Sequence, residues 1–466
     1  MQLLTPEQIE RVNEHSLRLL EQVGLRIDHD LVRAKLLAAG CRELPTGTVA
    51  FPRELVAECL QLAPERVRLG AHAGEPVEVY AGGPTIFWTG NALHIAEGQH
   101  AHPIGEEDFI RLTRVADALE HVHAPVGPAN HDLPAQHRDF VACRIMAQHS
   151  GKHLRPCMYT ARGCRACCEM GEVLASPHSL REMPVVSFGY TAVSPLRWTE
   201  PGLEMWLQTS GYGAPMMINS EPAAGATGPV TLAGMLMLAN AEALSGLVIL
   251  QTLEPGRPCI FNMGFAHTMD MREAITRTGG PENGILQAAG AQFAAYHGLP
   301  SASWMNTESM ADDEQAAFEK TNTALMHALA GVNVVWGIGN LESTRAMSLA
   351  QMVIDNDIAG VCLRSARPVD TDDEALAYEL VAELGTRADY LWHEHTMRHF
   401  REELHIPELA FVGRRERWER EGARRMVERA RDRVADILAA EPRHYLSEDK
   451  ERELLAIEER WRKELS

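Results

Sequence analysis

The sequence predicts an α/β protein built on a TIM-type (β/α)8 barrel, with an N-terminal extension of helices and a small sheet and a C-terminal extension of charged helices. Three observations predict it. From about residue 105, short apolar strands alternate with helical stretches, the rhythm of βα units around a parallel sheet. Seven such units are readable, with strands near 122–127, 154–159, 184–190, 215–219, 258–263, 301–305 and 332–337. Several of these strands run into polar or glycine-containing segments such as "GYTAVSPLRW", "GFAHTMD", "NTES" and "GIGNLEST", where a barrel gathers its chemistry. A doubly wound open sheet is the competing arrangement.

Taken in order, the chain divides at 1–104, 105–400 and 401–466. Thr5-Pro6-Glu7-Gln8 supplies an N-cap, a proline at the first helical position and a capping-box glutamine. Ile9, Val12, Leu19, Leu20 and Val23 then recur at helical spacing until Gly24 ends the run. Residues 31–37 and 53–62 repeat the pattern. Short alternating strands over 76–104, broken by Gly82-Gly83 and Gly90-Asn91, predict a hairpin or small sheet placed before the barrel. Within the barrel, helices are expected near 137–149, 162–175, 200–209, 229–252, 283–297, 313–329 and 345–357. An eighth strand is sought near "YLWHEH". The tail from about residue 413 is rich in Arg and Glu, which predicts solvated helices with intrahelical ion pairs, or a docking surface for a partner.

At 466 residues, 45% apolar and 23% charged, the chain has ordinary globular values. Its apolar runs read as shorter than the roughly 20 residues of a spanning helix, so no membrane is expected. The opening "MQLLTPEQIERVNEH" lacks the order of a signal peptide, which points to the cytoplasm. A net charge of −20 argues against nucleic acid and anionic lipid. Nine unevenly spaced cysteines suit a reducing compartment.

In "VNVVWGIGNLEST", Gly337-x-Gly339 lacks the third glycine of a dinucleotide fingerprint, and no Lys-Ser/Thr pair follows. A packed turn and a pocket rim both remain as readings of Trp336, Asn340 and Glu342. His121-Val-His123 opens a strand instead of ending it, which puts it on the wrong barrel face for a metallohydrolase. His395 and His399 lack HExxH order, and Cys157, Cys164, Cys167 and Cys168 face no second CxxC. Metal is therefore not expected at any of them. Tyr190, Trp198, Trp304 and Trp336 fall at or just after strand ends. Aromatic faces there attract quaternary ammonium at about 0.5 to 2 kcal/mol per ring. Glu221, Glu308 and Glu342 at the same rim would complement a cation, while ordinary core aromatics are the competing reading.

Four collinear stretches add a resemblance. "HSLRLLEQVGLRI" with "VAFPRELVAECLQLAPERVRL", "GKHLRP" with "ATGPVTLAGMLMLANAEAL", "DEQAAFEKTNTALMHALAGVNVVWGIGNLES", and "HEHTMRHFREELHIPEL" together resemble the trimethylamine methyltransferase family, in particular its members without pyrrolysine. The resemblance implies a barrel that transfers a methyl group from an amine to cobalt(I) of a corrinoid (cobalamin) presented by a partner protein. No cofactor bound tightly by the chain itself is implied. The segment that carries pyrrolysine in the trimethylamine enzymes holds standard residues here, with Leu341 or Glu342 nearest that position. The family's Ser-Asp-x-Lys reads Thr307-Glu308-Ser309-Met310.

The missing pyrrolysine points away from trimethylamine and, by the resemblance, to a quaternary amine such as glycine betaine, and the second departure implies a changed role for that acid or lysine. Trimethylamine, carnitine or a methylated amino acid are the other methyl donors considered. A noncatalytic betaine-binding barrel and a metallohydrolase are the rival functions. On this reading Tyr190, Trp198, Trp304 and Trp336 form the cage, with Glu221, Asn306 and Glu308 also contacting substrate. His267 receives a substrate carboxylate, and Glu342 is the catalytic candidate that orients the cation or orders water. The expected assembly is a homo-oligomer working with a small-molecule amine and a corrinoid protein.

Overall fold

The computed structural model describes residues 1–387 and 389–465. Its barrel strands are β1 (Ile86–Thr89), β2 (Val122–Ala124), β3 (Phe188–Ala192), β4 (Met216–Ser220), β5 (Cys259–Gly264), β6 (Ser301–Trp304) and β7 (Val334–Ile338). They form one parallel seven-stranded sheet in the order β3-β4-β5-β6-β7-β1-β2. The remaining gap, between β2 and β3, is spanned by residues 154–155. Single parallel bridges join Val126 to Arg155 and Leu154 to Val186. The sheet thus closes on itself, and each strand feeds a helix on the outside, as a TIM barrel requires. In chain order these helices are Glu106–Ala118, Arg138–His149, Ala161–Ala175, Glu200–Thr209, Leu232–Leu253, Pro281–Tyr296, Glu314–Ala330 and Leu349–Ala366.

The first strand of the barrel is the one the sequence misassigns. Residues 86–89, expected in a preceding hairpin, are buried at every position and lie between β7 and β2. A strand covered on both faces shows no polar alternation, so "IFWT" carries no sign of which sheet it joins. The segment "YLWHEH", expected to supply an eighth strand, is instead a 3-10 turn at Tyr390–Trp392 followed by the helix Glu394–Glu403. True hairpin pieces do flank β1: Arg66–Leu69 pairs with Val77–Tyr80, and His94–Glu97 pairs with His100–Pro103.

The opening helix, Pro6–Gln22, starts as expected, with Thr5 and Gln8 exchanging capping-box hydrogen bonds of 2.9 and 3.3 Å. Gly24 ends it in the left-handed region at φ 66°, and a Cβ there would sit 2.3 Å from the Val49 carbonyl oxygen. Leu232–Leu253 is long and apolar enough to cross a membrane, contrary to the expectation that no run is. It is taken up inside the protein, packed between Pro6–Gln22, Arg53–Leu62 and the outside of β4 and β5. The charged tail helices Met426–Ala439 and Glu448–Glu464 lie against the barrel's helical ring. Ala430, Val434 and Ile437 bury one face of the first, and Leu454 and Trp461 bury one face of the second. The expected intrahelical pairs form, Arg462 with Glu458 and Lys463 with Glu459, and some of these charges also reach the body: Glu458 pairs with Arg144, and Glu169 with Arg460 and the Trp461 indole. Between these parts, residues 369–412 expose Val369, Tyr378, Leu391, Trp392 and Val412.

Candidate active site

Alternate side chains of a barrel strand point inward. Ile86, Ile260, Ala302 and Val334 fill the interior, and Trp88, Trp304 and Trp336 lie one inward step nearer the strands' C-terminal ends. Trp304 and Trp336 are register partners on β6 and β7. Parallel pairing therefore places their rings on the same face, 5.7 Å apart and inclined at 37°. Trp88 approaches Trp336 to 5.3 Å, and Phe265 contacts Trp304 at 4.9 Å and Trp336 edge-on at 6.0 Å. Gly337, at φ 111°, makes the close approach possible: a Cβ there would lie 2.0 Å from the Met305 oxygen and 2.8 Å from the Trp304 ring.

Above this aromatic floor opens a cavity of about 910 Å³, lined by residues from the C-terminal ends of the strands. Tyr190 lines one side, its hydroxyl 2.9 Å from that of Thr199. Asn262 donates to Asn219 at 2.8 Å, and Asn219 to Thr191 at 3.3 Å, giving a polar strip along neighbouring strand ends. On another wall the Asn283 amide donates to Nδ1 of His267 at 3.1 Å. The remaining proton of His267 is thus on Nε2, 3.1 Å from the Glu221 carboxylate, which is half exposed at the rim. The Asn91 amide donates to Cys157 Sγ at 3.2 Å, and burial pushes that thiol up.

Arg155 also lines the cavity, although the residue is only 4% exposed. Its Nη1 donates to the Pro156 carbonyl at 2.6 Å and its Nη2 to the Gly189 carbonyl at 3.3 Å. The guanidinium carbon stands 5.2 Å from the centre of the Trp336 ring. Nε is buried without a partner, and no carboxylate among the described residues forms an ion pair with this side chain. Burial lowers its pKa to about 10, which leaves it charged at neutral pH.

The turn that rises from β7 forms part of the rim. Glu342, Ser343 and Thr344 have φ values of 53°, 49° and 78°, three successive non-glycine residues in the left-handed region. Such residues cost about 1–3 kcal/mol each and persist where surroundings hold them. Here the loop 307–309 does so: Glu342 and Ser343 donate backbone hydrogen bonds of 2.9 Å to the carbonyls of Ser309 and Thr307. The Ser343 hydroxyl donates to Glu308 at 3.3 Å.

The structure brings Tyr190, Glu221, His267, Trp304 and Trp336 to one cavity. It does not bring Trp198 there. That indole is fully buried behind the strands against Trp206, donating to Ser245 Oγ at 2.9 Å. The strand β3 ends before it, and the loop carries it back to the helical layer. Glu308 stands behind the rim, accepting from the backbone of Thr278 and Gly279, the Thr278 hydroxyl and Ser343. Asn306 is buried, and its side-chain oxygen accepts from the backbone N–H of Thr307. Neither lines the cavity. Nor does Glu342, because the left-handed turn presents Ser343 and Thr344 instead. His267, expected to receive a substrate carboxylate, is engaged by Glu221.

Arg155, Phe265 and Trp88 are the residues that sequence reasoning missed. A signal existed for Arg155: a lone arginine inside an apolar strand, immediately before a proline, in "GKHLRP". Of the candidate metal groups, His395 and His399 do meet Glu374, with ligand atoms all within 4.8 Å of one another, but Arg398 also pairs with Glu374 at 3.1 Å. The nine cysteines are free.

A family model described as trimethylamine methyltransferase (MTTB) matches residues 1–466. Among curated relatives, trimethylamine methyltransferase MttB of Desulfitobacterium hafniense (strain DSM 10664 / DCB-2) is 27% identical over 442 residues, covering 93% of this chain and 88% of the relative. Glycine betaine methyltransferase of Desulfitobacterium hafniense (strain Y51) is 28% identical over 449 residues, covering 94% and 92%. Among solved structures, the monomethylamine methyltransferase (MtmB) of Methanosarcina barkeri aligns over 93% of this chain and 92% of its own, with a TM-score of 0.54 and 12% identity, a likeness of fold.

Proposed function

The chain belongs to the trimethylamine methyltransferase family, and from that premise we propose that it moves a methyl group from a quaternary amine of the glycine betaine type to the cobalt(I) of a corrinoid held by a separate small protein. The observation that carries this reading is the aromatic floor: Trp304, Trp336 and Phe265 in mutual contact at the bottom of an open cavity on the barrel's C-terminal face. Aromatic faces hold a methylated cation by cation–π attraction without donating a proton to it. A quaternary nitrogen needs none, since it leaves as a neutral amine once a methyl is displaced. Tight ion pairing would favour the fully charged ground state over the charge-dispersed transition state and slow the transfer. Polarizable ring faces with one half-exposed carboxylate, Glu221, suit the task better.

The methyl acceptor, a cobalt(I) nucleophile, is a substrate brought by the partner. The mouth suits such an approach, since it is open and carries the exposed apolar side chains Val193 in its lining and Met271 and Ile275 on the hairpin formed by His267–Asp270 and Ile275–Arg277. This chain's part is to position the methyl group and exclude competing orientations. The testing experiment mixes the purified chain with a reduced corrinoid protein and a panel of quaternary and tertiary amines, following loss of the cobalt(I) spectrum. Loss with a quaternary amine supports the proposal. Binding without any spectral change would leave a noncatalytic amine-binding barrel, and no response to any methylated amine overturns it.

A further inference from the structure

We infer that Arg155 is a charge-selecting residue of this cavity, binding an anionic group on the substrate so that the chain takes zwitterions carrying a carboxylate and rejects methylated amines that are purely cationic. The inference rests on the reading of the cavity as a methylated-amine site. It assigns a role that neither the aromatic floor nor the His267–Glu221 pair supplies.

The physical case begins with an imbalance. A guanidinium as buried as this one loses most of its hydration, and in folded proteins such a charge is normally paired. Among the described residues Arg155 has two carbonyl acceptors, those of Pro156 and Gly189, and a buried Nε with none. The acidic groups that act on its charge are the thiols of Cys157 and Cys164, both pushed up by burial. Lys320 and Arg257, two other buried cations, contrast with it, meeting Asp355 at 2.5 Å and Glu254 at 3.7 Å. The uncompensated charge is therefore specific to the side chain that lines the cavity.

Its location gives the imbalance a use. The guanidinium lies against the Trp336 ring, so a positive charge already stands beside the aromatic floor. A substrate with nothing but a quaternary nitrogen would enter against that field. A substrate that also carries a carboxylate supplies the missing counterion and leaves its ammonium to the remaining ring faces and to Glu221 at the rim. Gly189 keeps the space open, because a Cβ at that position would lie 2.8 Å from Arg155 Nη2. Arginine suits the role by geometry as well as charge, since its planar fork matches the two oxygens of a carboxylate.

The test uses binding to the intact chain and needs no corrinoid protein. Glycine betaine, its carboxamide analogue and choline share one trimethylammonium head and differ in the charge of the other end. Calorimetric titration of the unaltered chain is expected to show glycine betaine binding about 10- to 100-fold more tightly than either analogue, the range of a charge-assisted hydrogen bond. Arg155→Gln should bring that ratio toward one, and Arg155→Lys should retain part of it. Equal affinity for all three ligands in the unaltered chain overturns the inference, as does an unchanged ratio in a folded Arg155→Gln protein. If that variant does not fold, Arg155→Lys decides, since a ratio unchanged from that of the unaltered chain overturns the inference. The two readings fail separately. Selective binding with no methyl transfer from any amine leaves Arg155 as assigned and removes the methyltransferase. Methyl transfer from choline and glycine betaine with equal efficiency does the reverse.

Discussion

Lys320 and Asp355 meet at 2.5 Å with both side chains fully buried, and together they grip the turn that leaves β7. Lys320 also donates to the carbonyls of Gly337 at 3.0 Å and Asn340 at 2.8 Å, while Asp355 accepts from the Gly339 N–H at 2.7 Å and from Gln351 at 2.8 Å. Burial lowers the lysine and raises the aspartate, but this set of donors and acceptors is that of an ionised pair. The two helices that carry them, Glu314–Ala330 and Leu349–Ala366, are thereby tied to the backbone under the rim. Replacing Lys320 with Met leaves Asp355 charged, buried and unpaired, a change that typically costs about 3–5 kcal/mol. Urea unfolding of Lys320→Met should show a loss of that size; a loss below about 1 kcal/mol would mean that the pair does not hold the turn.

The role of Trp336 can be separated from its packing. Truncation to Ala would open the barrel floor, where removing a large aromatic costs about 3–5 kcal/mol. Trp336→Phe keeps a ring and most of the volume while reducing the ring's negative face. Affinity for a quaternary amine should fall roughly 3- to 30-fold, the span of one cation–π contact of about 0.5–2 kcal/mol. The thermal midpoint should move much less than in Trp336→Ala. Calorimetry checks the first and a melting curve the second, and unchanged affinity removes Trp336 from the cage.

Much of this arrangement is legible along the chain. Helix caps are local, so Thr5 with Gln8 announces its helix in sequence. The strand rhythm after residue 105 likewise gives the barrel, and strand ends give Trp304 and Trp336. What is not legible depends on distant pairing. Strand β1 is defined by its neighbours β7 and β2, about 250 and 35 residues away along the chain. Trp198 shares the composition and apparent position of the other candidates, yet the chain turns outward before reaching it. Arg155 is marked along the chain by its place before a proline in a strand, but an arginine is ordinarily exposed or paired, and that this one is neither depends on its burial.

Glu221 should govern entry of the cation more than the strength of its binding. Its carboxylate is half exposed and already accepts from His267, so screening by solvent keeps its contribution small, at about 0.2–1 kcal/mol. Glu221→Gln is expected to weaken quaternary-amine affinity less than about fivefold, with a smaller salt dependence than the unaltered chain. Titrations at low and high ionic strength measure both effects. A loss of a hundredfold would show that Glu221 contacts the ammonium in a dehydrated site.

Stability should fall on acidification, and the groups responsible do not line the cavity. Burial lowers His72, His123, His153 and His297 to about 4, and His327 to about 3. In the unfolded chain each would titrate near 6.5. Between about pH 4 and 6.5 the unfolded state therefore binds more protons, so stability rises with pH in that window and is lost as pH falls through it. Asp139 works the other way. Burial raises its carboxyl to about 7, against hydrogen bonds from Tyr159 and Thr160, so its contribution is present at low pH and lost as pH rises toward 7. A tenfold change in a group's proton affinity on folding corresponds to about 1.4 kcal/mol, and five histidines outweigh one carboxyl. The thermal midpoint should drop steadily from pH 7 to pH 4.5, and replacing His153, held between Ser187 and the Gly70 carbonyl, with Gln should flatten part of that slope. A midpoint that stays level or climbs over this range would mean that the histidines are not kept neutral by burial.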